Sequence, residues 1–235
     1  MGTEPGVGGS ESANFAQALS TLKRQGSNIL LVGETGPSAH EPACGRLLGD
    51  GSGENRYRIF VSTDPSAREL SPATDASIAG ENTASHYLFH TDSEDDVPHD
   101  LTEDEVTVTP MLGVLGTEFV ELVNEFEADT GSLNPSQLRV CVDSVADLLA
   151  DHQSENVFRL LHVMTTRTIR ASGMGHFHLP VESDSEAVQL FKPLFDAVVE
   201  LRCGADGPEH RWTLRDKSTV TDWIPLTLGS HAEDA

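Results

Sequence analysis

The run Asn28-Ile29-Leu30-Leu31-Val32 constrains this chain more than any other feature. It is apolar at consecutive positions, so a strand built from it has both faces buried, as in the interior of a sheet covered by helices on either side. Before it, Phe15, Leu19 and Leu22 are spaced for one face of a helix that Gly26 stops at the position of a C-terminal cap. After it come Gly33, a short polar stretch, and a second helix from about Glu41 to Leu48.

The same alternation continues along the chain. Tyr57 to Ser62 reads as the next strand, and His86 to His90 and Val106 to Thr109 as two weaker ones separated by an acidic loop at 92–104. Leu115, Phe119, Leu122, Val123 and Phe126 keep helical spacing up to Thr130-Gly131. Leu138 to Ser144 is a strand ending in an acid, a long helix carries Val157, Leu160, Leu161 and Met164, and His176 to Pro180 forms a further strand. Ser183-Asp184-Ser185-Glu186 has the pattern of a capping box opening a helix that ends near Lys192. Ala197 to Arg202, Arg211 to Arg215 and Val220 to Ile224 read as antiparallel edge strands. The expected fold class is α/β in three layers: a mostly parallel sheet, helices on both faces, and antiparallel strands at the C-terminal edge. At 235 residues the chain suits one domain, over 13–227, with a disordered tail at 1–12 and an acidic tail at 228–235.

The net charge of -23 comes from 38 acidic residues against 15 basic ones, of which only Lys23, Lys192 and Lys217 are lysine. At molar salt the Debye length falls to about 3 Å, so the self-repulsion of such a surface is largely screened. The composition therefore suits a salt-rich, haloarchaeal cytoplasm. It offers no basic cluster to a nucleic-acid backbone, so direct nucleic-acid binding is not expected. No apolar run approaches the roughly 20 residues of a membrane span, and no leader is recognised, so a cytoplasmic location is expected. Cys44, Cys141 and Cys203 show no C-x-x-C spacing and read as reduced, small buried residues.

Gly33-Glu34-Thr35-Gly36-Pro37-Ser38-Ala39-His40 stands where a phosphate-binding loop would read G-x-x-x-x-G-K-[ST]. Gly33 fits the first position. Ser38, Ala39 and His40 stand where the second glycine, the lysine that bridges the β- and γ-phosphates, and the magnesium-binding hydroxyl belong.

In its order of motifs, from about 14 to 226, the chain resembles the RecA-like ATPase core and in particular its archaeal KaiC/RadA branch. The residues that carry this are the strand, Gly33 loop and helix, the Walker-B-like Leu138 to Ser144, and the closing runs MGHFHLPVESDSEAVQLFKPLFDAVVELR and EHRWTLRDKSTVTDWIPL. With the acidic composition, it resembles uncharacterised haloarchaeal RecA- or KaiC-like proteins, some labelled "HTR-like". The resemblance implies a P-loop NTPase-type sheet, with Asp143 and Ser144 at the magnesium position and Asp64 as what remains of the acidic residues that position water. The degenerate site would comprise Gly33, Gly36, Ser38, Ala39, His40, Asp143 and Ser144. Asp143 also reads simply as a strand-end acid capping the next turn.

Other constellations are weaker. His176 and His178 lie on one face of a strand, and with His162, His210 or Asp143 they would suggest zinc or nickel, but no third ligand is visible and no metal is expected. The Gly175-His176 stretch is assigned to a packed sheet edge. Ser144 and Ser172 lack the G-x-S-x-G elbow. Trp212 and Trp223 on the closing strands read as core. The function expected is that of a catalytically inactive pseudo-ATPase, without bound cofactor, acting on a protein partner or a second copy of itself. The alternative is a divergent nucleotide-binding signalling ATPase using Mg-ATP, Asp143 and Asp64.

Overall fold

The computed structural model describes residues 8–49, 55–63, 83–93, 97–98, 101, 105–215 and 219–226. Its centre is a nine-stranded sheet in the order β4-β3-β2-β5-β6-β1-β7-β8-β9. The strands are β1 (Ser27–Val32), β2 (Arg56–Ser62), β3 (Thr83–Phe89), β4 (Val106–Val108), β5 (Leu138–Asp143), β6 (Met174–Leu179), β7 (Ala197–Gly204), β8 (Gly207–Leu214) and β9 (Ile224–Pro225). The first seven run parallel to their neighbours, and β8 and β9 add antiparallel strands at one edge.

Strand periodicity divides the core into two faces. Leu30 and Val32 of β1 point to one side with Val140 and Val142 of β5 and Phe177 and Leu179 of β6. That side is covered by α3 (Leu112–Thr130), α4 (Val145–Asp151), α5 (Ser154–Arg170) and α6 (Glu186–Phe191). Ile29 and Leu31 point to the other side, under α1 (Gly8–Gln25) and α2 (Pro37–Leu48). The C-terminus of α2 is held by arginines from the sheet. Arg56 donates to the Leu48 carbonyl, Arg58 to that of Gly49 and Arg139 to that of Leu47, at 2.9–3.3 Å. These are among the carbonyls a helix end leaves unpaired, and cations there also favour the helix dipole.

Several sequence expectations change. The first helix begins at Gly8, inside the stretch assigned to a tail. The second begins at Pro37 rather than near Glu41, because proline has no N–H to lose at a helix start and Gly36 takes φ 62° ahead of it. β7 is not an antiparallel edge strand: it pairs parallel with β1 and antiparallel only with β8. Its short apolar run does not distinguish the two arrangements. β6 lies between β5 and β1, so His176 is central rather than at an edge. Ser185, not Ser183, caps α6, its hydroxyl accepting from the Val188 N–H at 3.3 Å. Trp212 is core, packed edge-on against Phe15, whereas Trp223 is half-buried under the guanidinium groups of Arg202 and Arg211. Asp64 and the tail at 228–235 lie outside the described residues. Among the described residues, no helix is long and apolar enough to cross a membrane.

Candidate functional site

In an open α/β sheet, ligands meet the carboxyl ends of the strands where the order reverses. Here those ends bring together the Gly33 loop after β1, Asp143 at the end of β5, and Leu179 at the end of β6, with β6 separating the two halves expected from the sequence.

The loop is held mainly by contacts within the protein. Gly33 has φ 125°, and a Cβ there would lie 2.3 Å from the Leu201 carbonyl of β7. A glycine is required by this close approach alone. The Gly33 N–H donates to the Val181 carbonyl and the Thr35 N–H to the Gly33 carbonyl, both at 2.9 Å. Pro37 carries no N–H, and those of Ala39 and His40 both turn to the Gly36 carbonyl at 3.5 Å. Ser38 is exposed, with its hydroxyl 3.3 Å from the Thr35 carbonyl and 3.5 Å from Cys203 Sγ. Ala39 is fully buried among Ile29, Leu31, Val199 and Leu201.

His40 is buried and faces inward. Its Nε2 lies 2.9 Å from the Gly33 carbonyl, and its Nδ1 3.0 Å from His178 Nδ1. The carbonyl accepts only, so Nε2 carries the hydrogen. Burial, and then the neighbouring His178, lower the pKa of His40 to about 4, against a raising contribution from the Gly33 bond. The ring is therefore neutral at pH 7, its Nδ1 is an acceptor, and His178 Nδ1–H is the donor.

That pair leads into a cluster at the base of α2. Cys44 of α2, Cys141 of β5, and His176 and His178 of β6 are all buried, with one possible ligand atom from each within 4.8 Å of the others. Cys44 Sγ is 3.4 Å from Cys141 Sγ and 3.0 Å from His176 Nε2. The Cys141 thiol is pushed well up by its hydrogen bond to Cys44 and by burial. Burial, followed by His178 and Arg139, pushes His176 well down. Burial also lowers His178, but Cys141 and Asp143 outweigh it and hold this histidine above its ordinary value. These four residue types in such proximity are those that hold a metal ion.

The Asp143 end is organised differently. Ser144 is the N-cap of α4: its Oγ accepts from the Asp147 N–H at 3.4 Å and donates to Asp147 Oδ2 at 2.6 Å, while its own N–H donates to Thr63 Oγ1 at 2.7 Å. The cap is Ser144 rather than Asp143. Asp143 is half-buried at the strand end, beside Ser62 in register.

The structure thus brings Gly33, Ala39, His40 and His178 together. Of the partners considered for His176 and His178, His162 is exposed on α5, on the opposite face, and His210 is buried beside Trp212. The ligand types that complete the cluster come from Cys44 and Cys141, which the sequence reading treated as packing. The available signal was the H-x-H pattern on a strand whose parallel neighbour carries an inward cysteine, since Cys141 is in register with His176.

No curated protein matches the chain. Among solved structures, it is similar to the uncharacterised protein PH0321 of Pyrococcus horikoshii, solved in complex with an unknown peptide. The TM-score is 0.54 at 12% identity, over 86% of this chain and 89% of that one. The KaiC-like protein PH0186 of the same organism matches with a TM-score of 0.47 at 12% identity, over 85% and 81% of the two chains. The mostly parallel sheet with helices on both faces and antiparallel strands at one edge is the three-layer α/β architecture expected from the sequence, and PH0321 shares that fold. The sequence model of a family of unknown function (DUF7504) matches residues 26–201, and the chain belongs to that family.

Proposed function

We propose that this protein is a RecA-like domain that does not hydrolyse nucleotide and acts as a regulatory or protein-interaction module. The observation that carries the reading is His40. In place of a magnesium-binding hydroxyl, a neutral imidazole donates to the Gly33 carbonyl and closes the loop onto the protein interior. A phosphate-binding loop works by aiming backbone N–H groups outward at the anion. Here those of Gly33, Thr35, Ala39 and His40 are engaged by the chain's own carbonyls, and the lysine position is a buried alanine.

The interaction half of the reading is supported by a groove of about 750 Å³ between α3 and α5. Met111, 63% exposed, and Val163, 42% exposed, stand on its rim. PH0321, which shares the fold, was solved holding a peptide. The charge of -23 supports a haloarchaeal cytoplasmic setting, in which this surface is screened.

The test is calorimetric titration with Mg-ATP in roughly 2 M KCl, where surface charges are screened. No binding heat is expected at high protein concentration. Micromolar binding would overturn the reading and return attention to Asp143.

A further inference from the structure

We propose that Cys44, Cys141, His176 and His178 bind one zinc ion in a closed, structural site that ties α2 to β5 and β6. The donor geometry stands apart from the nucleotide reading, while the hydrogen-bond argument shares with it the bond from His40 to the Gly33 carbonyl.

The donor set is the first argument. Two thiolates and two imidazoles are the borderline-soft N/S set of tetrahedral zinc. With Zn–S near 2.3 Å and Zn–N near 2.0–2.1 Å, the edges of such a tetrahedron measure about 3.3–3.8 Å. The 3.4 Å between the two sulfurs is about 0.4 Å short of the S–S edge and the 3.0 Å from Cys44 Sγ to His176 Nε2 about 0.5 Å short of the S–N edge. The four ligand atoms all lie within 4.8 Å of one another, so small side-chain adjustments complete the tetrahedron. All four side chains are at least nine-tenths buried, so no face is left open for substrate. Two thiolates also neutralise the dication, which suits an apolar interior. The sulfurs are not bonded to each other, both cysteines being free.

The second argument comes from hydrogen bonding. Buried polar atoms almost always have a partner. His178 Nε2 is buried without a hydrogen bond of good geometry, and besides His40 the ring interacts with the side chain of Cys141, itself one of the four ligands. Its tautomer follows from the loop outward: the Gly33 carbonyl requires the hydrogen on His40 Nε2, His40 Nδ1 then accepts from His178 Nδ1–H, and in the neutral His178 ring that a metal binds the lone pair is on Nε2. A lone pair on one nitrogen, with the other nitrogen donating to a fixed acceptor, is the state of a metal-ligating histidine and its supporting shell. The path from metal to His178, His40 and the Gly33 carbonyl would also hold the loop in place. Binding is balanced as Zn²⁺ plus two thiols and two neutral imidazoles, giving the neutral zinc dithiolate and two protons released to buffer.

The test uses the full-length chain, stripped with chelator and reloaded. One zinc per chain by elemental analysis is expected, with two protons released per zinc in calorimetry across buffers of different ionisation enthalpy. Cobalt(II) should give the visible spectrum of a tetrahedral site with a thiolate-to-metal charge-transfer band, and that band should be lost in C44S and C141S. Should those variants fail to fold, X-ray absorption of the zinc-loaded wild type decides the matter. A shell of two sulfurs and two nitrogens supports the site, whereas an oxygen- and nitrogen-only shell would place the metal on surface carboxylates and overturn it. A folded wild-type chain that takes up no zinc and shows no cobalt charge-transfer band, or a C44S/C141S chain that binds cobalt as the wild type does, would also overturn it.

Discussion

Rebuilding the loop is the most direct test of how the chain uses it. On sequence alone, S38G/A39K/H40T restores the missing second glycine, lysine and hydroxyl, and should create ATP binding if the backbone follows a phosphate loop. The structure gives the opposite expectation. Ala39 is fully buried against Ile29, Leu31, Val199 and Leu201, so a lysine there overpacks the site at about 1–3 kcal/mol before any desolvation of its ammonium. Removing the His40 ring leaves His178 Nδ1–H unpaired, at about 1–3 kcal/mol for a buried group, while the Gly33 carbonyl keeps the Thr35 N–H. The sum is about 2–6 kcal/mol, set against the roughly 5–15 kcal/mol that holds a domain folded. For a chain of this size each kcal/mol lowers Tm by about 2–4 °C, so a fall of at least about 4 °C is expected. The assay is thermal unfolding by circular dichroism in molar KCl, with and without Mg-ATP, followed by calorimetric titration of whatever remains folded. No ATP-dependent stabilisation is expected. A triple variant that melts with the wild type and binds ATP would refute both the packing argument and the reading of the loop.

Three further outcomes follow from other parts of the molecule. Gly33→Ala forces a Cβ toward the Leu201 carbonyl at φ 125°, and should destabilise the fold by about 2–4 kcal/mol in urea titrations; an unchanged midpoint would mean that β7 does not impose the glycine. His210 has its pKa lowered to about 4 by burial and then by Arg46, so the unfolded chain takes up its proton near pH 6.5 and the folded chain only near pH 4. Stability should therefore fall as pH drops through that window, and H210F should lose less over the same range than the wild type; parallel losses would refute the assignment. With a net charge of -23, Tm should rise from low salt to molar KCl, and a flat profile would remove the case for adaptation to high salt.

What could be read from the sequence was whatever depends on local pattern. β1 and β5 were legible because their mostly apolar runs are too short for helices and are bounded by glycine or polar residues, and α3 because its buried residues repeat at helical spacing up to Gly131, which caps the helix in the left-handed region. The pairing of β7 was not, since a strand's apolar run does not say which neighbour it joins or in which direction. The Cys and His cluster was hidden for the same reason. His176 and His178 were visibly on one face, but their neighbours come from a strand 35 residues earlier and a helix 132 residues earlier, and only the β5–β6 register and the seating of α2 bring the sulfurs to them. Of the arginines that seat α2, Arg56 and Arg58 lie only 8 and 9 residues beyond the carbonyls they hold, whereas Arg139 is 92 residues from Leu47 and is brought to it by the sheet.

The same distinction changes the weight of the motif residues that survive. Gly33 and Ser144 invite the inference that part of a nucleotide site has been kept, because each stands where that site needs it. In the structure each has a task that nucleotide plays no part in. Gly33 is a glycine because the carbonyl of Leu201 leaves no room for a side chain, and Ser144 is a serine at the N-cap of α4, bonded to Asp147 and Thr63. Their presence would be required of this backbone whether or not ATP ever bound to it, so it counts neither for nor against nucleotide chemistry. The informative position is His40. A hydroxyl there would serve magnesium but would leave the Gly33 carbonyl and His178 without the ring that joins them, so this interior and a working phosphate loop make opposing demands on one residue.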